Sequence, residues 1–121
     1  MSKIAITSEG PGLEDQVDPR FGRAAGFVIV DLDTMETQYI DNGQSQVMAQ
    51  GAGIQAAELI VRAGVSWLLT GYVGPKAFLA LSAAGVKIGQ NLEGMTVREA
   101  VERFQSGSLE VADRTNREAG K

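Results

Sequence analysis

The sequence contains neither cysteine nor histidine among its 121 residues. Without cysteine there is no disulfide, no thiolate nucleophile and no ordinary cysteine-ligated zinc or iron–sulfur centre. Without histidine there is no imidazole metal ligand, no Ser-His-Asp machinery and no side chain that naturally titrates near neutral pH. These two absences exclude several of the commonest forms of catalysis and of metal ligation by side chains.

Positive charge is scarce too, and no long apolar run is present. Eleven Lys and Arg against 15 Asp and Glu give a formal net charge of −4, whereas nucleic-acid binders normally carry a basic stripe. No apolar segment approaches the roughly 20 residues that span a bilayer. Residues 1–4 run directly into a strand-like segment, without the layout of a signal peptide. We therefore expect a cytoplasmic protein with neither a nucleic-acid partner nor a membrane partner.

Glycine, by contrast, is abundant, with 15 of the 121 residues, against about 7% in an average protein. The remaining composition, 44% hydrophobic and 21% charged, is that of a globular domain. The positions of the glycines are therefore more informative than the overall composition.

The order of apolar segments predicts an α/β fold. Strands are predicted at 3–7, 26–31, 36–41, 65–70 and 86–89, and helices at 53–63, 75–84 and from the capping box Thr96-Val97-Arg98-Glu99 to Gly107. Strands that alternate with helices favour parallel neighbours, and the short connection at 32–35 favours a hairpin. The sequence thus predicts a three-layer α/β/α sandwich around a mixed five-stranded sheet. It forms one domain over 1–107, followed by a flexible polar tail over 108–121.

Three segments are expected to meet at one edge of this sheet. Ligands of open α/β sheets bind beyond the carboxyl ends of the parallel strands, where helices also begin. The irregular loop 9–25 and the helix-opening segments 50–53 and 70–76 all fall there. Glycine lets the backbone approach a ligand, and free N–H groups at helix N-termini attract anions. The segments therefore predict an anion-binding crevice with three cations, Arg20, Arg23 and Lys76.

Other interpretations remain open at this stage. The glycines can simply form tight turns while the arginines pair with nearby acids, which are Glu14, Asp15 and Asp18. Residues 51–56 match the G-x-G-x-x-A dinucleotide fingerprint, but they follow a polar loop, and Thr70 and Gly71 stand where that motif needs an acid. A carboxylate site for phosphoryl chemistry could use Asp31, Asp33 and Asp41. Their positions around the predicted hairpin favour solvated turn acids instead.

Five short motifs follow one another along the chain. They are Lys3-Ile4-Ala5-Ile6, Val17-Asp18-Pro19-Arg20-Phe21-Gly22-Arg23-Ala24, Gly51-Ala52-Gly53-Ile54-Gln55-Ala56-Ala57, Thr70-Gly71-Tyr72-Val73-Gly74-Pro75-Lys76-Ala77 and Gly94-Met95-Thr96-Val97-Arg98-Glu99-Ala100. In this order they resemble the dinitrogenase iron–molybdenum cofactor biosynthesis domain family. The resemblance is collinear over about residues 3–105, and the Asp-Pro-Arg-Phe-Gly-Arg segment is its specific part.

The resemblance implies a ribonuclease-H-like fold without nuclease activity and a role in carrying, storing or inserting metal–sulfur clusters. The chain departs from the family at 44–50, where members that handle iron clusters often place histidine or cysteine. One branch, from anaerobic sulfate reducers, resembles this chain in size and is known for a molybdenum–copper–sulfide cluster without covalent protein ligands. The implied cofactor is therefore a non-covalent molybdenum-containing metal–sulfide cluster, of Mo–Cu or Fe–Mo type, which recombinant protein can lack.

Such a cluster is a soft polyanion that supplies its own sulfur. The resemblance thus implies charge balance by the three cations, N–H donation from 51–53 and 72–74, and further residues at the rim. The complete implied set is Arg20, Arg23, Gln50, Gly51, Ala52, Gly53, Gly71, Tyr72, Val73, Gly74, Lys76 and Asn91. The favoured function is a binding protein, not an enzyme, with cluster-delivery or scaffold proteins as partners. The alternatives are a metal-free regulatory or scaffold module that binds a small anion or a protein, and a carboxylate-dependent phosphohydrolase.

Overall fold

The computed structural model describes residues 2–46 and 50–112. Its elements, in chain order, are β1 (Lys3–Ser8), β2 (Gly26–Asp31), β3 (Thr37–Asp41), α1 (Gly43–Gln46), α2 (Ala52–Ala63), β4 (Trp67–Leu69), α3 (Pro75–Ala83), β5 (Lys87–Gln90), α4 (Val97–Ser106) and β6 (Glu110–Val111). The α/β class is confirmed, and the predicted strands and long helices lie within two residues of the observed ones. The segment 42–50, for which neither a strand nor a helix was predicted, contains the one-turn helix α1, and its residues 47–49 lie outside the described part of the chain.

The strands form one mixed sheet in the order β3-β2-β1-β4-β5-β6. The first three strands pair antiparallel, whereas β4 lies parallel to both β1 and β5. The sheet has six strands instead of the predicted five, because β6 pairs antiparallel with β5. This two-residue strand lies in the segment predicted to be a tail and is too short to leave a sequence pattern. Residues 113–121 lie outside the described part of the chain.

Helices cover both faces of the sheet. Ala5 of the central strand β1 faces the side on which Ile60 of α2 and Leu81 of α3 pack. Ile6, the next residue, faces the side on which Val101 of α4 packs. This alternation is the normal two-residue period of a strand. The three-layer sandwich that the sequence predicts is therefore confirmed.

The crossovers bring several chain segments to one edge of the sheet. Because β1, β4 and β5 are mutually parallel, their carboxyl ends share this edge. Helix α2 leads into β4 and α3 leads into β5, so both helices begin there. Across the residues that the structure describes, no helix combines the length and apolar character that crossing a bilayer requires.

Candidate functional site

The loop after β1 returns to the sheet edge and runs beside the end of β4. The N–H of Tyr72 donates to the carbonyl oxygen of Pro19 (2.9 Å), and the N–H of Phe21 donates to that of Tyr72 (3.2 Å). From the end of β5, the N–H of Asn91 donates to the carbonyl of Gly71 (2.9 Å). Backbone hydrogen bonds thus join the loop 9–25, the segment 70–76 and the end of β5.

Three glycines permit close contacts at this edge of the sheet. A Cβ on Gly71 would lie 2.5 Å from the carbonyl oxygen of Pro19, and one on Gly22 would lie 2.9 Å from the Cα and N of Gly53. A Cβ on Gly53 would lie 3.3 Å from the Cβ of Ala77, in α3. These glycines therefore allow the loop, the start of α2 and the start of α3 to approach one another, and not only to turn.

A crevice of about 480 Å³ opens where the three segments meet. Its lining residues come from the loop, from the start of α2 and from the start of α3; they are Phe21, Gly22, Gln50, Gly51, Gly53, Ile54, Gly74, Pro75, Lys76 and Ala77. Lys76 is the one charged residue among them, and it is exposed. Although acids outnumber bases in the chain, none of these lining residues is acidic.

Both helices that begin at the crevice lack a side-chain cap. Their N-cap residues are Gly51 and Gly74, and neither makes a side-chain capping hydrogen bond. Helix α4 differs, because Thr96 Oγ1 accepts the N–H of Glu99 (3.1 Å) while Glu99 Oε1 accepts the N–H of Thr96 (2.9 Å). The first N–H groups of a helix have no partner within the helix and carry the positive end of its dipole. Helices α2 and α3 therefore begin at the crevice with a favourable environment for an anion.

Arg20 and Arg23 adjoin the crevice in sequence but do not line it. Arg20 Nε lies 3.7 Å from Asp18 Oδ1, and the Arg20 side chain is 63% exposed. Arg23 Nη1 donates to the carbonyl of Gln46 (3.0 Å), and Gln46 Nε2 donates back to the carbonyl of Arg23 (3.3 Å). One part of the alternative interpretation is thus confirmed, because Arg20 does pair with Asp18. Glu14, which that interpretation also offered to the arginines, pairs with Arg98 instead.

The remaining residues expected at the site differ in their burial and in the partners of their backbone groups. Ala52 and Val73 are buried, with 6% and 1% of their surface exposed. The N–H of Tyr72, expected to be a donor to a ligand, is already bonded to the carbonyl oxygen of Pro19, although Tyr72 as a whole is 57% exposed. Asn91 is exposed and has a φ of 65°, in the left-handed region that asparagine tolerates.

The sequence did not identify which apolar residues line the crevice. Phe21 and Ile54 lie directly beside residues that were expected at the site, and Phe21 packs against Phe27 with ring centroids 5.7 Å apart. Pro75 and Ala77 flank Lys76 in the same way. All four residues lie inside the motifs identified in the sequence. Apolar residues in motifs are equally typical of the core, so the motifs did not predict that these residues line a crevice.

The acids that suggested phosphoryl chemistry stabilise turns. Asp31 Oδ1 accepts the N–H of Asp33 (2.9 Å), and Asp41 Oδ1 accepts the N–H of Gly43 (2.8 Å). Throughout the described ranges, no group of three or more His, Cys, Asp or Glu residues is placed to hold a metal ion. The geometry thus favours the interpretation of these acids as turn residues.

The family model described as dinitrogenase iron-molybdenum cofactor matches residues 2–107. The chain therefore belongs to this family, and the resemblance found in the sequence is confirmed.

Solved structures and a curated relative are also similar to the chain. The chain is similar to the orange protein from Desulfovibrio gigas in its apo form, with 62% identity, a TM-score of 0.90 and 93% of each chain covered. It is also similar to a putative NifB protein from Thermotoga solved by NMR, with 38% identity, a TM-score of 0.80 and coverage of 92% of this chain and 93% of the other. An uncharacterised protein of Methanocaldococcus jannaschii is 28% identical over 113 residues, which is 91% of each chain.

Proposed function

We propose that the protein binds, stores or delivers an anionic molybdenum-containing metal–sulfide cluster, of Mo–Cu or Fe–Mo type, without covalent bonds to side chains. Membership of the dinitrogenase iron-molybdenum cofactor family and the 62% identity to the orange protein support a cluster-related role. In this proposal the protein is a carrier and not an enzyme, and its partners are the proteins that donate or accept the cluster.

The observation that carries the proposal is the character of the crevice. Two helices begin there without side-chain caps, Lys76 adds a positive charge, and none of the lining residues is acidic. Acidic residues outnumber basic ones in the chain as a whole, so this crevice is the opposite of the average surface. Its electrostatics therefore favour a multiply charged anion.

The lining residues also fit a cluster that carries its own sulfide. The chain has no cysteine and no histidine, which are the usual side-chain ligands for iron and copper. Bridging sulfides accept hydrogen bonds, which the N–H groups at the starts of α2 and α3 can donate. The apolar side chains of Phe21 and Ile54 provide a wall that limits access of water. We propose that Arg20, Arg23, Gln50, Tyr72 and Asn91 contribute at the rim.

The direct test is metal analysis and a visible spectrum of the protein isolated anaerobically from its host. It is paired with anaerobic reconstitution of recombinant protein with tetrathiomolybdate and copper(I). The proposal predicts a chromophore with a fixed ratio of metal to protein. A spectrum equal to that of the reagents alone, together with no metal in the native protein, contradicts it.

A matched pair of lysine variants tests the location of the site. Lys76 lines the crevice, whereas Lys87 begins β5 and lies at the opposite edge of the sheet. A unit charge about 4 Å from an anion contributes about 1 kcal/mol even when fully hydrated, so Lys76→Ala should weaken binding of the reconstituted cluster about fivefold or more. Lys87→Ala removes the same charge and should leave the affinity unchanged. Equal affinities for the two variants would place the cluster elsewhere.

Two further outcomes would favour the alternative functions. A protein partner that co-purifies with metal-free protein, with no chromophore on reconstitution, indicates a regulatory or scaffold module. Magnesium-dependent phosphate release that is abolished in Asp31→Asn indicates a phosphohydrolase.

A further inference from the structure

Two buried polar side chains hold the loop that forms one wall of the crevice. Asp18 is 3% exposed and Asn42 is 1% exposed. Neither lines the crevice, and neither was expected at the site from the sequence. Both bond to backbone groups of residues 20–25, which include the lining residues Phe21 and Gly22.

The Asp18 carboxylate joins the two ends of this stretch. Its Oδ1 accepts the N–H of Arg20 (3.1 Å), and its Oδ2 accepts the N–H of Ala25 (3.3 Å). Asp18 is itself fixed to β1, because its N–H donates to the carbonyl of Thr7 (3.0 Å) and its carbonyl accepts from Thr7 Oγ1 (2.7 Å). The carboxylate thus ties residues 20–25 to the central strand of the sheet.

The Asn42 side chain holds the middle of the same stretch. Its Nδ2 donates to the carbonyls of Gly22 (3.3 Å) and Ala24 (3.0 Å), and its backbone N–H donates to the carbonyl of Ala25 (2.9 Å). Its Oδ1 is buried and has no hydrogen-bond partner within the described ranges. Burial of an unpaired oxygen costs free energy. The side chain of Asn42 therefore stabilises the loop only through the two hydrogen bonds that Nδ2 donates.

We propose that Asp18 and Asn42 are positioning residues of the cluster site: they fix residues 20–25 so that Gly22 rests on Gly53 and the crevice is formed before a ligand arrives. This inference rests on the proposed function. A site that is already ordered loses less conformational freedom on binding, which strengthens the affinity without any direct contact to the ligand.

Because Asp18 is charged, electrostatics and the positioning role predict opposite changes in cluster affinity for Asp18→Asn. A carboxylate near an anionic cluster repels it, so electrostatics alone predicts that Asp18→Asn binds the cluster more tightly. The positioning role predicts weaker binding. The amide introduced by this substitution would keep one acceptor oxygen but would point an NH₂ group at a backbone N–H that now donates to the carboxylate. One of the two bonds that the Asp18 carboxylate makes with the loop would be lost.

The experiment titrates anaerobic protein with tetrathiomolybdate and copper(I) and follows the visible spectrum. Asp18→Asn should weaken binding about threefold to tenfold, the cost of roughly one hydrogen bond. Asn42→Ala should weaken binding at least as much, because it removes the two bonds that Nδ2 donates. Glu93→Gln is the matched control, because it removes one exposed negative charge just after β5, at the same edge of the sheet. It should bind as tightly as the unaltered protein, or more tightly.

The outcomes separate this inference from the proposed function. If the unaltered protein forms no chromophore, the proposed function fails. If it does form one and Asp18→Asn binds as well as Glu93→Gln, the positioning role is wrong. Amide hydrogen exchange is measured on the unaltered protein, so this test does not depend on whether a variant folds. The N–H groups of Arg20 and Ala25 should be protected before the metals are added, and exchange at the rate of an unfolded chain would overturn the inference.

Discussion

Replacing Gly71 with alanine should destabilise the protein by separating the loop from the sheet edge. Gly71 is buried, and a Cβ at this position would lie 2.5 Å from the carbonyl oxygen and 2.8 Å from the Cα of Pro19. Both atoms belong to the backbone, so no side chain can rotate away. An ordinary van der Waals contact begins near 3.4 Å, which requires a displacement of about 0.9 Å.

The size of the effect follows from the bonds that such a displacement stretches. The Tyr72–Pro19 and Phe21–Tyr72 backbone hydrogen bonds, at 2.9 Å and 3.2 Å, join these two segments. A shift of this size takes both beyond normal hydrogen-bond length, and each contributes about 1 kcal/mol net. We expect the free energy of unfolding to fall by about 2–3 kcal/mol, which corresponds to about 8–12 °C in Tm for a chain of this length.

Thermal unfolding followed by circular dichroism measures this loss, with Gly74→Ala as the control. A Cβ on Gly74 meets nothing within 4 Å, although alanine is a poorer N-cap than glycine. The control should therefore cost about 1 kcal/mol or less. If Gly71→Ala loses no more stability than Gly74→Ala, the close backbone contact does not hold the loop in place and the reasoning fails.

Two other predictions concern stability. Thr96→Ala should lower the free energy of unfolding by about 1 kcal/mol, because it removes the N-cap hydroxyl of α4 that accepts the N–H of Glu99. Denaturant unfolding measures this loss, and an unchanged midpoint with an unchanged slope contradicts the prediction. Burial, with a smaller contribution from the charge of Asp41, raises the pKa of Tyr39 above its usual 10.0. The folded state therefore holds this proton more tightly, and its stability should fall as the pH rises from about 10 through the raised pKa. Tyr39→Phe should lack this part of the alkaline loss, and identical alkaline profiles for the two proteins would refute the assignment.

The periodic elements were predictable because their signals are local. Helix α4 illustrates this, since the capping box at Thr96 and Glu99, the apolar spacing of Val97, Ala100 and Val101, and the final Gly107 all lie within twelve residues. Strand β6 was missed for the opposite reason. Its two residues are fixed by pairing with β5, some 20 residues earlier in the chain, and no local pattern records such a pairing.

The meeting of three segments at one edge was also predictable, since it follows from the order of strands and helices. The sequence did not predict which backbone and side-chain groups are available at that edge. The N–H of Tyr72 looked free in the sequence, but the structure commits it to Pro19. Arg20 and Arg23 are not among the lining residues of the crevice, whereas apolar residues such as Phe21 and Ile54 are. These outcomes depend on how the loop 9–25 lies against the sheet.

The sequence by itself determined the class of fold, the family and the exclusion of thiolate and imidazole ligands. Composition, local periodicity and short motifs depend only on the residues present and on their neighbours along the chain, so they are visible without a structure. Only the tertiary structure decided that Gly22 contacts Gly53, that Asn42 bonds to Gly22 and Ala24, and that the starts of α2 and α3 share one crevice with Lys76. Most of these partners lie 18 to 31 residues apart in the chain, and their contacts exist only because sheet formation and backbone packing bring those segments together.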